Sequence, residues 1–176
     1  HYIRQVLDSG FGSSTSGSMN NRFEEAFSKA VGAKYAITFN SGTSTLHAAL
    51  DALGVGYGDE VITSPLTVIS NLDVILAQNA IPIFADINPG TFNIDPTDVG
   101  NKITSRTKAI MPVSLYGVSC DLDPLLQLSK KHNVPILNDA AEAFGSIYKG
   151  RPIAEIADIT SYSTENSKHI LSLIHI

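Results

Sequence analysis

The sequence predicts an α/β chain built on a mostly parallel sheet with helices on both faces. Two observations carry this expectation. Short apolar runs alternate with amphipathic stretches along most of the length, the βαβα order that buries a parallel sheet between helices. The residues just past each apolar run are small, polar or acidic, and ligands of such sheets gather at the carboxyl ends of the strands.

Taken in order, residues 1–18 read as a short helical stretch followed by a flexible loop, GFGSSTSGS. That loop superficially resembles a phosphate-binding P-loop, but it lacks the lysine before the hydroxyl residue and no strand precedes it. Asn20 or Asn21 is expected to cap a helix with Phe23, Ala26, Phe27 and Ala30 on one face, stopped by Gly32. Residues 35–39 read as a short strand, 40–43 as a turn, and Leu46, Ala49, Leu50 and Leu53 mark a second helix. Further strands are expected at 60–63, 81–87, 109–113 and 135–138, and further helices at 70–79, 96–103 and 123–132. The last strand lies in DITSYSTENSK (158–168), where Ile159, Ser161 and Ser163 alternate with Thr160, Tyr162 and Thr164. The organisation is then an N-terminal segment (1–18), part of one catalytic domain (19–168) and a tail (169–176). Residues 171–176, LSLIHI, are expected to be read-through rather than native protein.

Composition narrows the function classes. The chain has 176 residues, 43% hydrophobic and 16% charged, which suits a globular chain with a sizeable core. A formal charge of −5 with no Lys/Arg cluster argues against nucleic acid or an anionic membrane as partner. No apolar run reaches the roughly 18 residues of a membrane span. The single cysteine, Cys120, excludes an internal disulfide and suits a reducing, cytoplasmic setting.

The strand ends supply the candidate site: 40–43, 64–67, Asp86, 114–117, 139–142, and Ser163 with Lys168. Ser41-Gly42-Thr43 joins a strand to a helix N-terminus, where free N–H groups and the helix dipole favour an anion; an ordinary helix cap is the plainer reading. Asp139 ends an apolar strand, and a buried carboxylate needs a partner: a cap, a metal or a heterocyclic cation. The five histidines offer no metal-ligand spacing. Gly54-Val55-Gly56-Tyr57-Gly58 follows a helix and precedes a strand, the reverse of a dinucleotide fingerprint, so it reads as a turn. No G-x-S-x-G elbow is present. Lys168 on its own reads as a solvated surface lysine. Beside an anion cradle, a carboxylate for a ring nitrogen and hydroxyls, it becomes a candidate Schiff-base nucleophile, and the set matches what pyridoxal phosphate requires.

Five stretches in order, NSGTSTLHAALDALGVGYGDEVITSPLTVIS, FADINPGTFNIDP, ITSRTKAIMPVSLYG, NDAAEAFGSIYKGR and SYSTENSK, resemble the nucleotide-sugar aminotransferases of the DegT/DnrJ/StrS family, within the aspartate-aminotransferase-like fold. The resemblance covers about 20–168 and implies part of the large domain of a fold-type I enzyme using pyridoxal 5′-phosphate. It implies Lys168 as the Schiff-base lysine and Asp139 as partner of the pyridine nitrogen. Gly42, Thr43 and Ser163 would hold the phosphate, and Glu142 would stand near the phenolic oxygen, where the family often has Gln or His. Val68 departs from the family's usual ring-stacking aromatic. The implied reaction moves an amino group from glutamate to a nucleotide-linked keto-sugar, as in polysaccharide biosynthesis, in a homodimer. Family chains are about twice as long, so the stretch resembles the first half of such an enzyme and is expected to be inactive by itself. The alternatives are a sugar dehydratase of the same family, in which histidine replaces the lysine, and a non-catalytic nucleotide-sugar-binding relative, which would have lost Lys168 or Asp139.

Overall fold

A computed structural model describes residues 4, 8 and 18–169. The expected N-terminal loop and the 171–176 tail lie outside the described residues. The chain divides into two units, His1–Thr38 and Phe39–Ile176.

In the first unit, helix α1 spans Ser18–Val31. Phe23 and Phe27, one turn apart, bring their ring centroids to 5.6 Å. Gly32 ends the helix in the left-handed region (φ 73°), as expected of a glycine at that place. The expected asparagine cap is corrected: Asn20 and Asn21 both lie inside the helix. Asparagine within a helix costs only about 0.7 kcal/mol, too little to force a boundary. The expected strand at 35–39 is also absent among the described residues. Its composition supplies β-propensity, but a strand needs a neighbour for its backbone hydrogen bonds. Thr38 donates both its N–H and its hydroxyl to Glu24 Oε1, each at 2.8 Å.

The second unit carries the sheet. Strands β1 (Glu60–Thr63), β2 (Ile81–Phe84) and β3 (Thr107–Met111) pair in parallel in the order β2-β1-β3. Strands β4 (Leu137–Asp139) and β7 (Ile159–Ser161) pair in parallel, with Asp139 opposite Ser161. Parallel bridges from Ile110 to Ile136 and from Val113 to Asp139 join the two groups. The α/β fold with a parallel sheet is therefore as expected.

Side chains alternate across a strand, and here the alternation divides two cores. Val61, Ala109, Met111 and Leu137 point to one face, where helices α2 (Gly42–Ala52) and α3 (Ile69–Ala77) bring Leu46, Ala49, Leu50, Val74 and Ile75. Ile62, Ile110 and Ile136 point to the other, against Val99 of α4 (Pro96–Lys102) and Leu122 and Leu125 of α5 (Leu122–His132). Cys120 lies in this second core, where burial pushes its thiol up to about 12.

Among the differences from expectation are two strand ends and a hairpin. β2 ends at Phe84, whose carbonyl accepts from Lys102 Nζ at 2.6 Å, and Ile87 makes only an isolated bridge with Ile94. β7 stops at Ser161 because its partner β4 ends at Asp139, so Ser163 stands in the following loop. Between β4 and β7, a hairpin of β5 (Ile147–Tyr148) and β6 (Arg151–Pro152) was not anticipated. Its turn residues Lys149 and Gly150 both have positive φ (48° and 82°), the pattern of a tight primed turn.

Candidate active site

The site is assembled where β1, β3, β4 and β7 end and α2 begins. At the start of α2, Ser41 is the N-cap: its Oγ accepts from Ser44 N–H at 3.1 Å. Thr45 N–H reaches the Ser41 carbonyl at 3.2 Å. The Gly42 and Thr43 N–H groups make no hydrogen bond among the described residues, and Thr43 is exposed. Two such donors at the positive end of a helix favour an anion.

Ser163 closes the other side of that corner. A Cβ placed on Gly42 would stand 3.0 Å from Ser163 Cβ and 3.2 Å from its Oγ, so any larger residue would crowd Ser163 and force it to give way. Thr45, which sequence reasoning missed, ties the corner together. Its hydroxyl donates to the Gly42 carbonyl at 2.6 Å and shares a hydrogen bond with Ser161 Oγ of β7. The available signal was a threonine three residues after Gly42, within reach of its carbonyl.

Asp139, at the end of β4, is buried at 2% exposure. It accepts from the Ala141 N–H at 3.0 Å and forms no ion pair among the described residues. Burial pushes its carboxyl above the usual range; the Ala141 N–H, the nearby Asn71 amide and the Lys168 charge oppose that, while Glu142 adds to it. An acid held this way would be eased by a cation placed against it.

Lys168 Nζ lies 3.2 Å from Glu142 Oε1, with 18% of the lysine side chain exposed. Glu142 is held by the turn after β3: the Tyr116 N–H donates to its Oε2 at 3.3 Å and the Gly117 N–H to its carbonyl at 2.8 Å. Tyr116 and Gly117 both have positive φ, which turns the chain back over β4. The turn is set by buried Asn93, whose Oδ1 accepts from Leu115 N–H and whose Nδ2 donates to the Val118 and Ser119 carbonyls.

Of the expected site residues, the structure pairs Gly42 with Ser163 and Glu142 with Lys168, and it brings the Asp139 carboxylate under the influence of the latter two. Val68 precedes α3 and is 52% exposed. Asp86 does not join the others: its backbone is taken up by Asp95 and Asp98 of the α4 start. Asn71 was missed altogether, because an asparagine inside a helical pattern carries no chemical signature. It is wholly buried, and neither amide atom has a hydrogen-bond partner among the described residues. Among the described residues no cluster of His, Cys, Asp and Glu could hold a metal, and no helix is long and apolar enough to cross a membrane.

The sequence profile of the DegT/DnrJ/EryC1/StrS aminotransferase family matches residues 1–173. The GDP-perosamine synthase of Caulobacter vibrioides is 42% identical over 169 residues, covering 96% of this chain and 45% of that protein. The crystal structure of 3-amino-5-hydroxybenzoic acid synthase superposes with a TM-score of 0.92 at 35% identity, over 96% of this chain and 44% of that one. The PLP-form of the putative sugar aminotransferase Spr1654 from Streptococcus pneumoniae gives a TM-score of 0.86 at 34% identity, over 96% and 47%. The chain thus spans less than half the length of the relatives it matches. On the profile match over nearly the whole chain and the identity to these relatives, the chain belongs to the DegT/DnrJ/EryC1/StrS aminotransferase family.

Proposed function

We propose that the whole protein is a pyridoxal-phosphate-dependent aminotransferase that moves an amino group, from glutamate on the family's pattern, to a nucleotide-linked keto-sugar. The observation that supports this best is the meeting, at one sheet edge, of three things: a sheltered lysine, a buried carboxylate without an ion pair, and a glycine–serine corner at a helix N-terminus. A phosphate, a protonated ring nitrogen and an aldehyde would each find the group it needs there.

In this reading the Gly42 and Thr43 N–H groups and the Ser163 hydroxyl hold the phosphate. Asp139 would face the ring nitrogen and keep it protonated. Val68 offers an aliphatic surface to the ring. Glu142 would stand near the ring's phenolic oxygen. Pyridoxal phosphate, when bound, supplies an aldehyde that condenses with amines and a ring that withdraws electrons from the carbon losing a proton. Lys168 Nζ supplies the amine that holds the cofactor. Once free, the same nitrogen would be placed to take a proton from the substrate carbon and to return it, general acid–base work for a partly desolvated lysine. Asp139 steadies the positive ring nitrogen as negative charge develops. The working unit is a cytoplasmic homodimer on the family's pattern.

The test is to load the whole protein with pyridoxal phosphate, reduce it with borohydride and map the label. It is expected on Lys168. A label at another lysine, or none, overturns the assignment.

A further inference from the structure

Asn71 sits in the first turn of α3, fully buried, with both Oδ1 and Nδ2 lacking a hydrogen-bond partner among the described residues. An unpartnered amide in a protein interior is costly. A leucine of nearly the same shape would remove that cost, so the residue's presence calls for a use. The neighbour that gives it one is Asp139. Ile75, one turn on from Asn71, packs in the same core as Leu137, which shares its face of β4 with Asp139, and the Asn71 amide favours the ionised form of that carboxylate although, among the described residues, no hydrogen bond closes on either amide atom. The other groups facing Asp139 are the Ala141 N–H, which bonds one carboxylate oxygen at 3.0 Å, Lys168, Glu142 and the buried Cys120 thiol. One carboxylate oxygen is therefore fixed by the backbone.

We propose that Asn71 is the positioning residue for Asp139, its side-chain Nδ2–H turning onto the carboxylate and holding it ionised and oriented in the loaded site. With one oxygen held by Ala141 and the carboxylate steadied by Asn71, Asp139 is fixed in rotation and meets a ring nitrogen at a set angle. This deepens the aminotransferase reading and rests on it for the identity of the ring, though the Asn71–Asp139 linkage can be read without any cofactor.

The experiment uses the whole protein in cofactor-free form and follows its melting temperature against pH for wild type, Asn71→Leu and Asn71→Ser, each also in an Asp139→Asn background. Asp139 is harder to ionise in the fold than in the unfolded chain, so it makes stability fall as pH rises from the ordinary aspartate value, about 3.9. Loss of the amide should extend that fall upward by about half a pH unit in Asn71→Leu. Asn71→Ser, which keeps a donor, should recover part of the shift, and Asp139→Asn should abolish it. In the loaded enzyme, Asn71→Leu should lower kcat roughly tenfold with little change in KM for the keto-sugar. An unchanged pH profile, or a shift that survives Asp139→Asn, overturns the proposal. If Asn71→Leu does not fold, Asn71→Ala, which also lacks the donor, takes its place, and an unshifted profile there overturns the proposal. A failure of borohydride labelling at Lys168 would sink the aminotransferase reading and leave this linkage standing, so the two failures are distinguishable.

Discussion

Lys168 Nζ and Glu142 Oε1 stand 3.2 Å apart, joining the loop after the last strand to the turn after β4. Both side chains keep some contact with solvent, so water screens the pair and its net contribution to folding is small. Glu142→Gln keeps a polar group of the same length and removes the charge. It should alter stability by less than about 1 kcal/mol, measured by urea unfolding at neutral pH. A loss several times larger would show that the pair is a structural tie and not a contact free to be exchanged.

Gly42→Ala addresses the anion corner. The added methyl meets Ser163 Cβ at 3.0 Å, and the neighbour must give way. Gly42 is the first residue of a helix, where alanine is otherwise favoured, so folding should suffer by only about 1 kcal/mol. The damage should fall on the cradle: affinity for pyridoxal phosphate, followed by absorbance, should drop roughly tenfold or more. Unchanged affinity would place the phosphate elsewhere.

Asp139→Asn should separate stability from function. Burial raises the Asp139 carboxyl above its ordinary value. Its ionised form therefore costs the cofactor-free fold stability above about pH 3.9, increasingly until the pH passes its higher folded value. Asparagine removes that cost, so the cofactor-free variant should melt higher than wild type at neutral pH. Its melting curve should also be flatter over that window. Turnover should fall far more than cofactor occupancy, because the carboxylate matters most as charge develops. Near-normal turnover would remove Asp139 from the site.

Glu60 gives the opposite pH signature. It is buried at the start of β1, bonded to the Thr104 hydroxyl and to Arg106. The Thr104 hydroxyl first, and then Arg106, hold its carboxyl below the usual range against the opposing effect of burial. Its contribution is therefore fully present above the ordinary glutamate value of about 4.3 and is lost as pH falls through the lower folded value. Glu60→Gln should cost about 1.5–3 kcal/mol at neutral pH, read by denaturant unfolding, and progressively less as the solution is acidified. An equal cost at every pH would mean that shape, and not charge, is what Glu60 contributes.

Sequence reasoning already sufficed for the sheet and its helices, because that information is local and repeated. Val61 and Ile62, or Ala109, Ile110 and Met111, are apolar on consecutive positions, as a strand buried on both faces demands. Leu46, Ala49 and Leu50 have helical spacing, and Gly32 ends α1 where a glycine would. Residue chemistry also offered Asp139 as a candidate, since a carboxylate at an apolar strand end is conspicuous, and Lys168 only in company with the other strand-end groups, since alone it reads as a surface lysine.

Tertiary structure decided what depends on neighbours distant in sequence. The stretch 35–39 has the composition of a strand and is none, because a ladder is a property of two segments. Ser163 left its strand because β4 had ended opposite Ser161. Asn71 gains its meaning solely from a carboxylate 68 positions later, and Thr45 from a serine on β7. The pairing of Lys168 with Glu142 depends on a turn at Tyr116 and Gly117 that folds over β4. Such contacts arise only when the sheet sets its strand ends side by side. Periodicity along one segment records how that segment buries itself, and not which distant group it will meet.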